Sequence, residues 1–143
     1  MKAPAGSGRR RAREVAFRLA YQADVMGEPI DAGGPKAGDQ EPLGPDQRSL
    51  VNDVLRVLGR RPAEVDDLIR GAARNWELDR LAATDRSVLR IAIAELIGRP
   101  GTPARVVLDE AIEIARRYGA EESARFVNGV LDHVARIVRP EEV

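Results

Sequence analysis

Apolar residues recur at spacings of three and four in one segment after another, and glycine or proline stands at most points where that rhythm stops. Ala12, Val15, Ala16, Leu19, Ala23 and Met26 share one face of a first helix, which Gly27 and Pro29 end. After Pro45, Leu50, Val51, Val54, Leu55 and Leu58 mark a second helix, stopped near Gly59. Pro62 suits the first turn of a third, with Val65, Leu68, Ile69 and Ala72 facing inward. Trp76, Leu78 and Leu81 fall in a short connection. Thr84 is the predicted N-cap of the next helix, with Asp85 well placed against its dipole. Val88, Leu89, Ala92, Ile93, Leu96 and Ile97 form its stripe, and Gly98 and Pro100 stop it. Thr102-Pro103 predicts a cap followed by a first-turn proline. Val106, Val107, Glu110, Ala111, Ile114 and Ala115 continue that helix to Gly119. A last helix runs from about Glu121 to Val138, burying Val127, Val130, Leu131 and Val134. Glu113–Arg117, Glu121–Arg125 and Asp132–Arg136 are i,i+4 pairs in the favourable order. No segment alternates with period two, so the chain is predicted to be all-α, a compact bundle of six or seven helices.

Two regions break the pattern. Residues 27–45 hold nine glycines and prolines in nineteen positions and read as a flexible surface linker, with a broken helix as the alternative. Residues 1–13 carry Lys2, Arg9, Arg10, Arg11 and Arg13 and no acid. The whole chain is formally neutral, so the remainder is acidic, with 18 basic against 23 acidic side chains. At 43% hydrophobic and 32% charged over 143 residues, the composition fits one folded domain. The absence of cysteine excludes disulfides and thiol chemistry and suits a reducing cytoplasm. No apolar run approaches a membrane span, and no apolar stretch follows the basic start as a secretory signal would require.

Signals of catalysis are missing. The single histidine, His133, lies inside a helical pattern, with no cysteine or second histidine to join it on a metal. The glycine-rich stretches lack the strand-then-helix setting of a phosphate loop. Glu110 and Glu113 share a helical face but sit among arginines, the arrangement of a solvated ion-paired surface. The chain is expected to be no enzyme and to need no cofactor or metal.

The basic start suggests binding instead. Guanidinium groups grip phosphates and stack on bases, and a basic arm can order on single-stranded RNA; a solubilising tail is the plain alternative. Arg10, Arg13, Phe17 and Tyr21 fall on one stripe of the first helix. Phe17 reads as core, while Tyr21 fits core and surface equally. Phe126 follows Arg125 and precedes Val127-Asn128-Gly129, an Asn-Gly pair inside a helical pattern. On residue chemistry alone, Gly129 reads as a site of close helix packing and Phe126 as core.

The segments RRRAREVAFRLAYQ (9–22), WELDRL (76–81), TDRSVLRIAIAEL (84–96) and EAIEIARRYGAEESARFVNGVLD (110–132) resemble the NusB family, and FVNGVLD is the most specific of them. The likeness fails over residues 27–45. It implies two packed helical sub-domains, residues 9–76 and 77–143. It implies a transcription antitermination factor that binds boxA RNA of nascent ribosomal RNA transcripts together with the small-subunit ribosomal protein NusE, within the RNA polymerase antitermination complex. By motif match, RNA contacts fall to Arg9, Arg10, Arg11, Arg13, Glu122, Arg125 and Phe126, whose ring would stack a base. Lys2 is a less secure match. Tyr21 and Asp85 match positions near the NusE-facing surface. A homodimer is compatible with the sequence and would compete for the basic surface.

Two other functions fit a helical module of this kind. One is the RNA-binding module of an RNA cytosine methyltransferase, which would bring a Rossmann-like domain and a catalytic cysteine; neither is in the sequence, so the module is expected to act without them. The other is a purely protein-binding adaptor, in which the arginine arm plays no part.

Overall fold

The computed structural model of the chain describes residues 5–30 and 42–142. Lys2 and positions 31–41 of the expected linker lie outside the described residues. The described chain forms six α-helices: α1 Ala5–Met26, α2 Pro45–Arg60, α3 Pro62–Ala72, α4 Ala83–Gly98, α5 Ala104–Tyr118 and α6 Ser123–Val138. Short 3-10 turns occupy Leu78–Arg80 and Pro140–Glu142, and no strand occurs among the described residues.

The helix ends follow the local chemistry. Gly27 takes φ of 67°, the left-handed conformation that glycine adopts without steric cost. The Glu28 N–H then reaches back to Ala23 O at 2.8 Å and the Gly27 N–H to Asp24 O at 3.2 Å, closing α1 with a Schellman motif. Pro45 and Pro62 start α2 and α3, where a missing N–H costs nothing. Gln47 secures the entry to α2: its Oε1 accepts from the Gly44 N–H at 2.7 Å, and its Nε2 donates to Gly8 O at 2.9 Å, tying α2 to α1.

Two expected caps fall elsewhere. α4 begins at Ala83 after an Ala82 N-cap, so Thr84 stands inside the first turn. The reason lies upstream: Arg86 donates to Leu78 O and Leu81 O, both at 2.9 Å, and draws the incoming chain onto the helix start. At α5, Pro103 is the N-cap and Thr102 is buried; the Ala104 N–H is satisfied by the Glu142 carboxylate at 2.8 Å. Glu113 pairs with Arg116 rather than Arg117, while Asp132–Arg136 forms as expected.

α4 is the centre. From Ser87 to Leu96 every residue except Arg90 is buried, as befits a helix surrounded by others. It packs against α1, α2, α3, α5 and α6. It therefore joins the two expected halves, 9–76 and 77–143, in one core cluster running from Ala12 to Ala135. The α2–α4 crossing is close at Gly98, where an added Cβ would stand 3.0 Å from Val57 Cγ2.

Candidate nucleic-acid interface

The arginines at the start of α1 divide by depth. Arg9 is exposed and lines two clefts, one with Gln47, Val106 and Glu110, the other with Asp53, Arg99 and Thr102. Arg10 is also exposed, with its guanidinium 3.0 Å from Glu110 of α5. That bond and charge raise the Arg10 pKa above its usual value, so the cation persists at any working pH. Arg11 is half-buried and donates to Pro42 O at 3.2 Å. Arg13 is different: at 5% exposure it donates twice to Glu95 of α4, at 2.8 and 2.6 Å, and lies 3.6 Å from Glu110. The expectation that Arg13 touches RNA is thereby corrected. A guanidinium held bidentately inside the core has no face to offer a phosphate.

Beyond that arm, further direct contacts join α1 to α5. Glu14 accepts from Arg117 at 2.6 Å and from the Tyr118 hydroxyl at 3.0 Å. The Tyr118 ring lies 5.0 Å from Phe17, and Phe17 lies 6.2 Å from Tyr21. Phe17 is core at 3% exposure, whereas Tyr21 and Tyr118 are 38% and 39% exposed. These three rings line a cleft of about 390 Å³ with Arg18 and Thr84. Tyr118 was not singled out in the sequence; the one signal was an aromatic directly before the glycine that ends α5.

Asp85, the residue after Thr84, belongs to the next cavity. It shares a space of about 200 Å³ with Trp76, Arg80, Glu122 and Phe126. Phe126 is half-buried, leaning on the core with one side and on Trp76 with the other. The two rings meet edge to face at 6.4 Å and 77°. Trp76, read in the sequence as part of a connection and not as a site residue, is 60% exposed. Glu122 and Arg125 are exposed at the start of α6. Gly129 is exposed as well, and an added Cβ would meet nothing within 4 Å, which corrects the close-packing role expected of it.

An ion-pair network holds this end in place. Asp24, near the end of α1, binds Arg86 at 2.6 Å and Arg90 at 2.9 Å, and Arg90 also binds Asp66 of α3 at 2.9 Å. The Arg86 hydrogen bonds keep the Asp24 carboxyl below the ordinary aspartate range, with Arg90 adding to the effect and partial burial opposing it. No cluster of three or more metal-binding side chains occurs among the described residues, and no described helix is long and apolar enough to cross a membrane.

Fold and site together define a small all-helical bundle wrapped on one buried helix, with arginines and exposed rings on its surface. The chain belongs to the NusB family, whose family profile matches residues 10–136. The transcription antitermination protein NusB of Koribacter versatilis is 41% identical over 129 residues, covering 90% of this chain and 88% of that protein. NusB of Anaeromyxobacter dehalogenans is 42% identical over 135 residues, covering 94% of each. Among solved structures, T. maritima NusB matches with a TM-score of 0.79 at 33% identity, covering 99% of this chain and 98% of that one. A crystal structure of antitermination factors NusB and NusE in complex with dsRNA matches with a TM-score of 0.67 at 26% identity, covering 92% and 98%.

Proposed function

We propose that this chain is a non-catalytic RNA-binding adaptor of transcription antitermination. With ribosomal protein NusE it binds boxA RNA of nascent ribosomal RNA transcripts and promotes processive transcription by RNA polymerase in the cytoplasm. The observation that carries this reading is the pairing of exposed Arg9 and Arg10 at the start of α1 with half-buried Phe126 and exposed Arg125 at the start of α6. These groups supply phosphate-binding cations and a stacking ring, as a single strand requires. Arg9, Arg10, Arg11 and Arg125 supply the positive charge, and Phe126 a stacking face with Glu122 beside it. Tyr21, with exposed Val25 and Met26 beyond it on α1, faces NusE, and Asp85 stands at the border of the two surfaces. The likeness to the NusB–NusE structure with dsRNA supports the same assignment of partners.

The test is a gel shift with boxA and scrambled RNA, with and without NusE. Binding to boxA is expected to exceed binding to the scrambled strand and to tighten when NusE is added. Replacing Arg9, Arg10 and Arg11 together by Ala lowers affinity for both RNAs. Unchanged RNA binding in that triple variant removes the arm from the mechanism and leaves the protein-binding adaptor as the better account.

A further inference from the structure

We propose that the cleft lined by Tyr118, Phe17, Arg18, Tyr21 and Thr84 is a nucleotide site, in which one base of a single-stranded RNA stacks on Tyr118 beside the Arg18 guanidinium. This rests on the RNA-binding reading and adds to it a stacking face at the end of α5.

Tyr118 is pinned twice. Its hydroxyl donates to Glu14 at 3.0 Å, and its ring lies 5.0 Å from the buried ring of Phe17. Those contacts fasten α5 to α1, yet they leave the residue 39% exposed. A ring already held on one side has little rotamer freedom left to lose when a base covers its open side. Tyr21 lines the same cleft, 38% exposed and 6.2 Å from Phe17. The space measures about 390 Å³, which suits a small flat ligand.

Charge at the cleft selects its occupant. Arg18 is exposed on the lining and makes no ion pair or hydrogen bond among the described residues. Arg117, next to Tyr118, has a guanidinium 60% exposed and bonds Glu14 at 2.6 Å. The Arg10 pKa is raised first by Glu110, and the charge of Arg117 acts against that rise, so the cleft lies within electrostatic reach of the arm. A basic protein partner would meet like charges here, whereas a polyanionic strand is drawn in. A guanidinium can lie flat on a base or donate to its carbonyls and ring nitrogens. The Thr84 hydroxyl can donate or accept, so the cleft takes any base.

The experiment joins crosslinking to binding, on the full chain with and without NusE. BoxA RNA carrying 5-iodouridine at one position at a time is irradiated with the wild-type protein, and crosslinked peptides are mapped by mass spectrometry. A crosslink at Tyr118 is expected from at least one position. Tyr118→Ala is expected to weaken boxA and scrambled RNA alike, about tenfold, and to leave the salt dependence unchanged because no charge is removed. Tyr118→Phe keeps the ring and restores most of that loss. Arg18→Ala weakens both RNAs about threefold. Wild-type affinity in Tyr118→Ala with no crosslink at Tyr118, while Arg9→Ala still weakens RNA binding, overturns the site and leaves the RNA-binding function standing. Loss of NusE capture in Tyr118→Ala and Arg18→Ala, with RNA binding in the absence of NusE intact, also overturns it and gives the cleft to the protein partner. Should Tyr118→Ala lose its fold, the wild-type protein decides: no crosslink at Tyr118 from any position overturns the site. If the wild-type protein binds neither RNA with or without NusE, the site and the RNA-binding function fall together.

Discussion

At Gly98 an added Cβ would stand 3.2 Å from Asp53 O, whereas at Gly129 it would meet nothing within 4 Å. Both glycines lie within helices, where glycine costs roughly 0.5–1 kcal/mol relative to alanine. Gly129→Ala is therefore expected to raise stability by about that amount, while Gly98→Ala lowers it because α2 cannot retreat from α4 freely. Urea unfolding of the two variants checks both signs; destabilisation by Gly129→Ala would show that the face is not open. The sequence read Gly98 as a helix stop and Gly129 as the site of close packing, whereas the close approach falls at Gly98. The same blindness applies to the arginines. Arg9, Arg10, Arg11 and Arg13 are alike in a run, and only the fold shows that Arg13 meets Glu95, 82 positions away. One signal was available: Glu95 interrupts the otherwise apolar stretch IAIAEL, and a buried acid needs a cation.

Helices were legible wherever their ends carry their own chemistry. Gly27 stops α1 and Pro62 starts α3 at the expected places. Thr84 and Thr102 failed as caps because Arg86, which holds the incoming turn by Leu78 O and Leu81 O, and the distant Glu142 set those helix starts. The Asp24–Arg86–Arg90–Asp66 network is likewise invisible in sequence, since it joins α1, α3 and α4. It does carry a pH signature. The folded Asp24 pKa lies below its unfolded value near 3.8, so its contribution is complete above that value. The contribution declines as pH falls through the lower folded value, where the folded state too takes up the proton. Asp24→Asn is expected to cost about 3 kcal/mol near neutrality, because Arg86 and Arg90 lose their shared acceptor in a partly buried setting. Denaturant midpoints measured from neutrality into acid should show the variant and wild type converging below pH 3.8. A constant gap across that range would mean that the loss is one of packing and not of charge.

At the scale of the whole molecule, the sequence pointed to an arm and a ring at its two ends, and the fold adds a chain of contacts between α1 and α5. That chain runs through Glu14, Arg117 and Tyr118, and its meaning comes from α1 lying against α5. Cations and rings should leave separable traces in RNA binding. Arg9, Arg10 and Arg125 are the candidate RNA-binding arginines exposed on the surface, and three neutralised phosphates give a plot of log affinity against log salt with slope of about −2 for a single strand. Arg9→Ala removes one of those charges and should flatten the slope by about 0.7, with a similar loss for boxA and scrambled RNA. Phe126→Ala removes no charge. It should cost about 1–3 kcal/mol of affinity at every salt concentration and leave the slope where it was. If Phe126→Ala instead lowers thermal stability and leaves RNA affinity intact, the half-buried ring belongs to the core alone, and the strand must find its stacking face elsewhere, as at exposed Tyr118.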